Sequence, residues 1–197
     1  SNYLYKDVLA FEGVKKSALV TDLLRLLALQ LGQEVSYQEL SKSLGVSRIT
    51  IQKYINLLEQ SSVLFTRRAF SRNLRKEISK SVKIYFFDLG IRNSLIQNFN
   101  PLSLRNDTGA LWENLMIIEK LKADSFREQG ANRYFWRTYD QKEIDYLEER
   151  GGRLYAYEFK WGDKEAKSPK EFLESYTGSA FRTINRKNFW DFLDIQQ

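Results

Sequence analysis

Glu143-Ile144-Asp145-Tyr146-Leu147 and Leu154-Tyr155-Ala156-Tyr157-Glu158-Phe159-Lys160 read as two neighbouring strands, and their polar positions decide the reading of the second half of the chain. On a strand, side chains i and i+2 share a face, so Glu158 and Lys160 point one way while Tyr157 and Phe159 point the other. A carboxylate beside an ammonium, with Asp145 on the strand before and Glu113 on a preceding helix, suits Mg²⁺- or Mn²⁺-dependent phosphodiester hydrolysis. Asp145 and Glu158 would hold a hard cation that keeps several waters, and Lys160 would stabilise developing negative charge. Opposite charges on a solvated strand face would look the same, and Glu143, Glu148 and Glu149 show how frequent carboxylates are here. The order of elements favours the first reading.

That order is α-β-β-β-α-β. An amphipathic helix is expected over 109–123, with Leu111, Leu115, Ile118 and Leu121 facing a core and Trp112 buried. Strands follow at 133–138, 143–149 and 153–160, then a helix at 169–176 and a last strand at 180–184.

The first half reads differently. An apolar helix over 17–31 is closed by Gly32. Ser36 caps a short helix, with Glu39 three residues later completing a capping box, and Gly45 ends it. Ser47 caps a third helix from Arg48 to Gln60, whose inward stripe is Ile51, Tyr54, Ile55 and Leu58. Two short helices joined by a tight turn form a helix-turn-helix pattern, with Arg48, Gln52, Lys53 and Asn56 offered to a DNA major groove. Val63-Leu64-Phe65 and Val82–Phe87 then read as a hairpin with a basic tip, the wing. Its Arg67, Arg68, Arg72, Arg75, Lys76 and Lys80, opposed only by Glu77, suit phosphate contacts. A solvated helix face and a charged loop remain the plainer alternatives. Another helix opens at Asp88 and runs to about Gln97.

Charge follows this division. Residues 1–100 carry 15 Lys/Arg against 8 Asp/Glu, and residues 101–197 carry 16 against 17, so a positive field is confined to one half. Cysteine and histidine are both absent, which removes disulfides, Ser-His-Asp and Cys-His catalysis, and the usual zinc sites. No apolar run of membrane-spanning length and no signal peptide occur, so no membrane partner and a cytoplasmic location are expected. No G-x-x-x-x-G-K-[S/T] is present, so no P-loop ATPase activity is expected of this piece, which begins Ser1-Asn2 like an excised fragment.

The second half resembles the PD-(D/E)XK phosphodiesterase superfamily, with Glu113 at the first-helix carboxylate, Asp145 at the central aspartate and Glu158-Phe159-Lys160 at the E-x-K. The whole chain is similar to the C-terminal region of prokaryotic AAA-type ATPases that carry a domain of unknown function. The residues bearing this are Tyr5-Lys6-Asp7-Val8, Leu44-Gly45-Val46-Ser47, Tyr85-Phe86-Phe87-Asp88-Leu89-Gly90, Gly109-Ala110-Leu111-Trp112-Glu113-Asn114, Phe135-Trp136-Arg137-Thr138, Glu143-Ile144-Asp145-Tyr146 and Tyr157-Glu158-Phe159-Lys160. The resemblance implies an α+β or α/β chain, a winged helix-turn-helix over 17–100 followed by a restriction-endonuclease-like αβββαβ domain over 109–197. Residues 1–16 would link to an ATPase module that binds ATP in cis, and 101–108 would join the two halves. It also implies Asp145 and Glu158 as metal ligands, Lys160 as the residue that positions the water, and Glu113 as the pocket's completing carboxylate. DNA binding is the expected function; a metal-dependent DNA endonuclease and a non-catalytic assembly platform are the alternatives, and self-association is open.

Overall fold

The computed structural model describes residues 17–71, 82–127, 130–138 and 142–194. Arg72, Arg75, Lys76, Lys80 and the expected linker 1–16 lie outside them. The chain is a mixture of helices and two sheets, and it divides into two compact units. Ser1–Thr66 and Ser81–Asn100 form the first; Arg67–Lys80 and Pro101–Gln197 form the second.

In the first unit, α1 (Ser17–Leu29) is followed by β1 (Glu34–Val35), α2 (Tyr37–Leu44), α3 (Arg48–Gln60), β2 (Leu64–Arg68, whose last two residues count with the second unit), β3 (Val82–Phe86) and α4 (Leu89–Leu95). The strands pair in the order β1-β3-β2. Helical periodicity places Val20, Leu23, Leu24, Leu27 and Ala28 of α1 on one buried face. The Ser36, Gly45 and Ser47 caps act as expected. Ser36 Oγ accepts the Glu39 N–H, Gly45 closes α2 at φ 64°, and Ser47 Oγ accepts the Thr50 N–H at 3.1 Å. That positive φ is what calls for glycine at position 45. Ile51, Ile55 and Leu58 of α3 are fully buried, each contributing about 1.5–3 kcal/mol of hydrophobic stabilisation. Arg92, itself buried, donates from Nε to the Ala28 carbonyl at 2.9 Å and so satisfies an orphan acceptor in the last turn of α1. The two-residue β1 was not expected; it is too short to carry a period.

The second unit contains a short 3-10 turn (Leu102–Leu104), α5 (Thr108–Phe126), β4 (Asn132–Arg137), β5 (Glu143–Arg150), β6 (Arg153–Phe159), α6 (Lys170–Ser175), β7 (Ala180–Ile184) and α7 (Phe189–Phe192). The sheet runs β4-β5-β6-β7, antiparallel except for the parallel β6/β7 pair. The pleat of β6 separates two cores. Leu154 and Ala156 join Trp136, Ile144, Leu147 and Phe172 on one side. Tyr157 and Phe159 meet the Phe192 ring, at 4.8 and 5.5 Å between centroids, on the other.

Two features depart from the sequence reading. Phe70 packs into the core with Trp136 and Phe172, and its N–H donates to the Phe135 carbonyl at 2.7 Å. Arg67 to Ser71 thus lie with the second unit. On α5, Leu111, Trp112 and Ile118 are buried as expected, but Leu115 is 38% exposed and Leu121 only half-buried. The helix instead buries Asn114, Met116, Ile117, Lys120 and Asp124. Its inner surface includes charged positions that an apolar stripe does not mark.

Candidate functional site

The register of β5 contains an irregularity that bears on Asp145. Tyr134 faces Leu147 and Trp136 faces Ile144, so β4 advances two residues where β5 advances three. The extra residue falls across Asp145–Tyr146, a bulge of the kind that re-aims side chains. The Asp145 carboxylate accepts the backbone N–H of Phe159 at 2.8 Å, which anchors it to the middle of the E-x-K segment. Lys160 Nζ donates to Glu158 Oε1 at 2.7 Å. The Lys160 N–H is held by the Ile184 carbonyl at 2.9 Å, extending the β6/β7 pairing to the site residue itself.

The three expected site carboxylates come within electrostatic reach of Lys160. Partial burial pulls the Lys160 pKa down, but the Glu158 hydrogen bond and the fields of Glu158, Asp145 and Glu113 outweigh it and leave the group raised. Lys160 is thus a persistent cation, suited to stabilising negative charge and unsuited to accepting a proton. Among the described residues, no group of three or more His, Cys, Asp or Glu could hold a metal ion. Of the two expected metal ligands, Asp145 accepts the Phe159 N–H and Glu158 pairs with Lys160.

Glu158 and Lys160 also line a groove of about 440 Å³, with Glu143, Lys164, Glu165 and Lys167 around it. Glu113 and Asp145 are not among its lining residues.

The α3 residues are placed as the helical period requires. Arg48, at the helix start, and Gln52, Lys53 and Asn56, on the side away from Ile51, Ile55 and Leu58, are all exposed. Ile49, 79% exposed, shares the outer surface. Of the basic hairpin, Arg68 is exposed, whereas Arg67 is half-buried and its field reaches Tyr146.

The sequence reading missed a buried polar network in the second unit. Tyr146 donates to Glu148 Oε1 at 3.0 Å, and Arg150 Nε lies 3.2 Å from Glu148 Oε2. Arg133 Nη2 and Lys120 Nζ reach the two oxygens of Asp124 at 2.8 and 3.0 Å. Burial first, then the Glu148 field, raises Tyr146 well above its ordinary value; the same causes push Tyr157 up to about 12. Both remain neutral phenols. The signal was present in the alternation Tyr146-x-Glu148-x-Arg150, which puts three polar groups on one strand face.

Residues 1–102 match a domain of unknown function, DUF8612, over more than half of the chain. The chain belongs to the DUF8612 family. In this DUF8612 chain, residues 108–188 match a second domain of unknown function, DUF4143. Uncharacterized proteins Mb2031c of Mycobacterium bovis and Rv2008c of Mycobacterium tuberculosis are each 32% identical over 131 residues, 66% of this chain and 29% of theirs. An uncharacterized protein of Haemophilus influenzae is 24% identical over 153 residues, 75% of this chain and 35% of its own. The DUF8612 chain thus spans about a third of the length of these relatives. No solved structure matches it.

Proposed function

We propose that this DUF8612 chain is a DNA-binding region of a longer ATPase, with α2 and α3 acting as a helix-turn-helix and β2/β3 as its wing. The observation that carries this is the outer face of α3. Arg48, Gln52, Lys53 and Asn56 project from a helix that Ser47 caps and Ile51, Ile55 and Leu58 anchor. Arginine and lysine can reach phosphate or guanine, and glutamine and asparagine can pair with adenine, so the face has groups for both positioning and base contact. Exposed Arg68 would add a phosphate contact. The ATPase module belongs to this reading through the family resemblance and the greater length of the relatives. Fluorescence anisotropy with duplex DNA tests it: salt-dependent binding that Lys53→Glu weakens is expected, and no binding at low salt would sink it.

A second reading, metal-dependent phosphodiester hydrolysis by a PD-(D/E)XK-like second unit, is favoured by Lys160 lying in the fields of Glu158, Asp145 and Glu113. A bound Mg²⁺ or Mn²⁺ would supply an activated water and charge neutralisation. Asp145 and Glu158 would hold the ion, Lys160 would stabilise the phosphorane-like charge, and Glu113 would complete the pocket with a carboxylate whose field favours protonated Lys160. Plasmid cleavage with Mn²⁺ is its test.

A further inference from the structure

The hairpin end of β5 and β6 sets two arginines directly opposite one another. Arg150 registers with Arg153, Glu148 with Tyr155, and Tyr157 with Arg182 of β7. Registered partners share a face, so Arg150, Arg153, Tyr155, Tyr157 and Arg182 lie on one side of the sheet. Tyr157 packs on the Phe192 ring, while Tyr155 is half-buried and Arg153 exposed, so this side opens toward the hairpin. Like charges directly opposed across a ladder are destabilising. Both guanidiniums stand over the same ring, Arg150 at 4.6 Å and Arg153 at 6.0 Å from the Tyr155 centroid. The fields of Arg150 and Arg182 both reach Tyr157, which makes the three arginines one patch. Neither the DNA-binding reading nor the metal-dependent one uses these residues.

Charge and geometry narrow the partner. Glu148, fully buried, meets Arg150 at 3.2 Å. Arg153 Nη2 donates to the neutral Gly178 carbonyl at 3.4 Å, and Asp191 stays 3.8 Å from Arg182, beyond hydrogen-bonding distance. Three guanidiniums thus meet one buried and one loosely held carboxylate, a surplus that an incoming anion would relieve. Guanidinium forks take the paired oxygens of carboxylates and phosphates alike. Two observations favour a protein carboxylate. The Tyr155 ring is already engaged by guanidinium, so a nucleobase finds no ready stacking platform there. Residues 101–197 carry 16 Lys/Arg against 17 Asp/Glu, too little net charge to draw in a long polyanion. Tyrosine and arginine are also among the residues on which protein interfaces concentrate their binding energy.

We propose that this face binds an acidic segment of a partner protein, with Asp or Glu side chains seated on Arg153 and Arg182 beside Tyr155. The full 197-residue chain is titrated against fluorescein-labelled octaglutamate and, separately, labelled octathymidylate. Low salt, about 50 mM, keeps surface charges effective. The variant Arg153→Gln/Arg182→Gln removes two exposed charges and leaves Arg150 on Glu148, so its urea midpoint is expected to match the parent's. Octaglutamate affinity is expected to fall roughly tenfold with the loss of two charge-assisted contacts. Octathymidylate affinity is expected to change by less than about twofold, since its phosphates have the basic first half to bind. Absence of octaglutamate binding, equal octaglutamate affinity in parent and variant, or equal losses on both probes would overturn the proposal. Tighter binding of octathymidylate, weakened by the same variant, would overturn it in favour of a nucleic-acid surface.

Discussion

The backbone N–H of Phe159 donates to the Asp145 carboxylate at 2.8 Å, joining the bulged part of β5 to the segment that carries Glu158 and Lys160. Asp145 therefore does more than contribute charge. It fixes the peptide between the two E-x-K side chains and so sets where both emerge.

Replacing that acceptor has a stability cost separable from any effect on chemistry. Asp145→Ala should destabilise the chain by about 1–3 kcal/mol, the usual penalty for leaving a part-buried donor without its acceptor. Asp145→Asn keeps an amide oxygen and should lose less. Urea denaturation reads both; no loss in Asp145→Ala would show that the hydrogen bond contributes nothing.

Lys160 gives a pH-dependent prediction with a definite sign. Its pKa in the folded chain lies above the ordinary 10.5, so its stabilising contribution is fully present below pH 10.5. It is lost as pH rises through the higher folded-state value. The melting-temperature gap between the parent and Lys160→Met should therefore persist at neutral pH and close in strongly alkaline solution. A gap that widens with pH would contradict the arrangement.

The network around Glu148 predicts larger effects. Glu148 is fully buried, so Arg150→Ala leaves its carboxylate with the Tyr146 hydroxyl but no facing cation and should cost about 2–3 kcal/mol, below the usual loss for broken buried pairs because Arg150 is 34% exposed. Adding Glu148→Gln should recover part of the loss. Additive losses in a denaturation double-mutant cycle would mean that the pair is not coupled.

Ser47 caps the helix assigned to DNA, and Ser47→Ala should cost about 1 kcal/mol through loss of the Thr50 N–H acceptor. Thermal unfolding checks this.

These positions differ in how readily the sequence discloses them. Ser36, Gly45 and Ser47 were legible because caps depend on residues within four positions of one another. The strands containing Asp145 and Glu158 were legible from alternation, and Ala180–Ile184 was read as the last strand. The bulge across Asp145–Tyr146 was not, since it exists only in the register between β5 and β4. Phe70 looked like part of a basic hairpin; its burial depends on the edge of a strand more than sixty residues later. Lys120 and Asp124 escaped the reading because an apolar stripe does not mark charged positions that pair within α5, and Arg133 reaches Asp124 only when β4 is in place. Glu113 was recognised by its place before the strands, and the groove formed with Lys164 and Lys167 required the fold.

The most direct test of DNA binding is the salt dependence of duplex affinity, measured by fluorescence anisotropy for the parent chain and for Lys53→Glu. Parent affinity is expected to fall steeply between about 50 and 200 mM salt, and a lost phosphate contact should reduce the log–log slope by about one. Binding that is absent at low salt, or identical in the parent and Lys53→Glu across the whole series, would contradict α3 as the DNA-contacting helix.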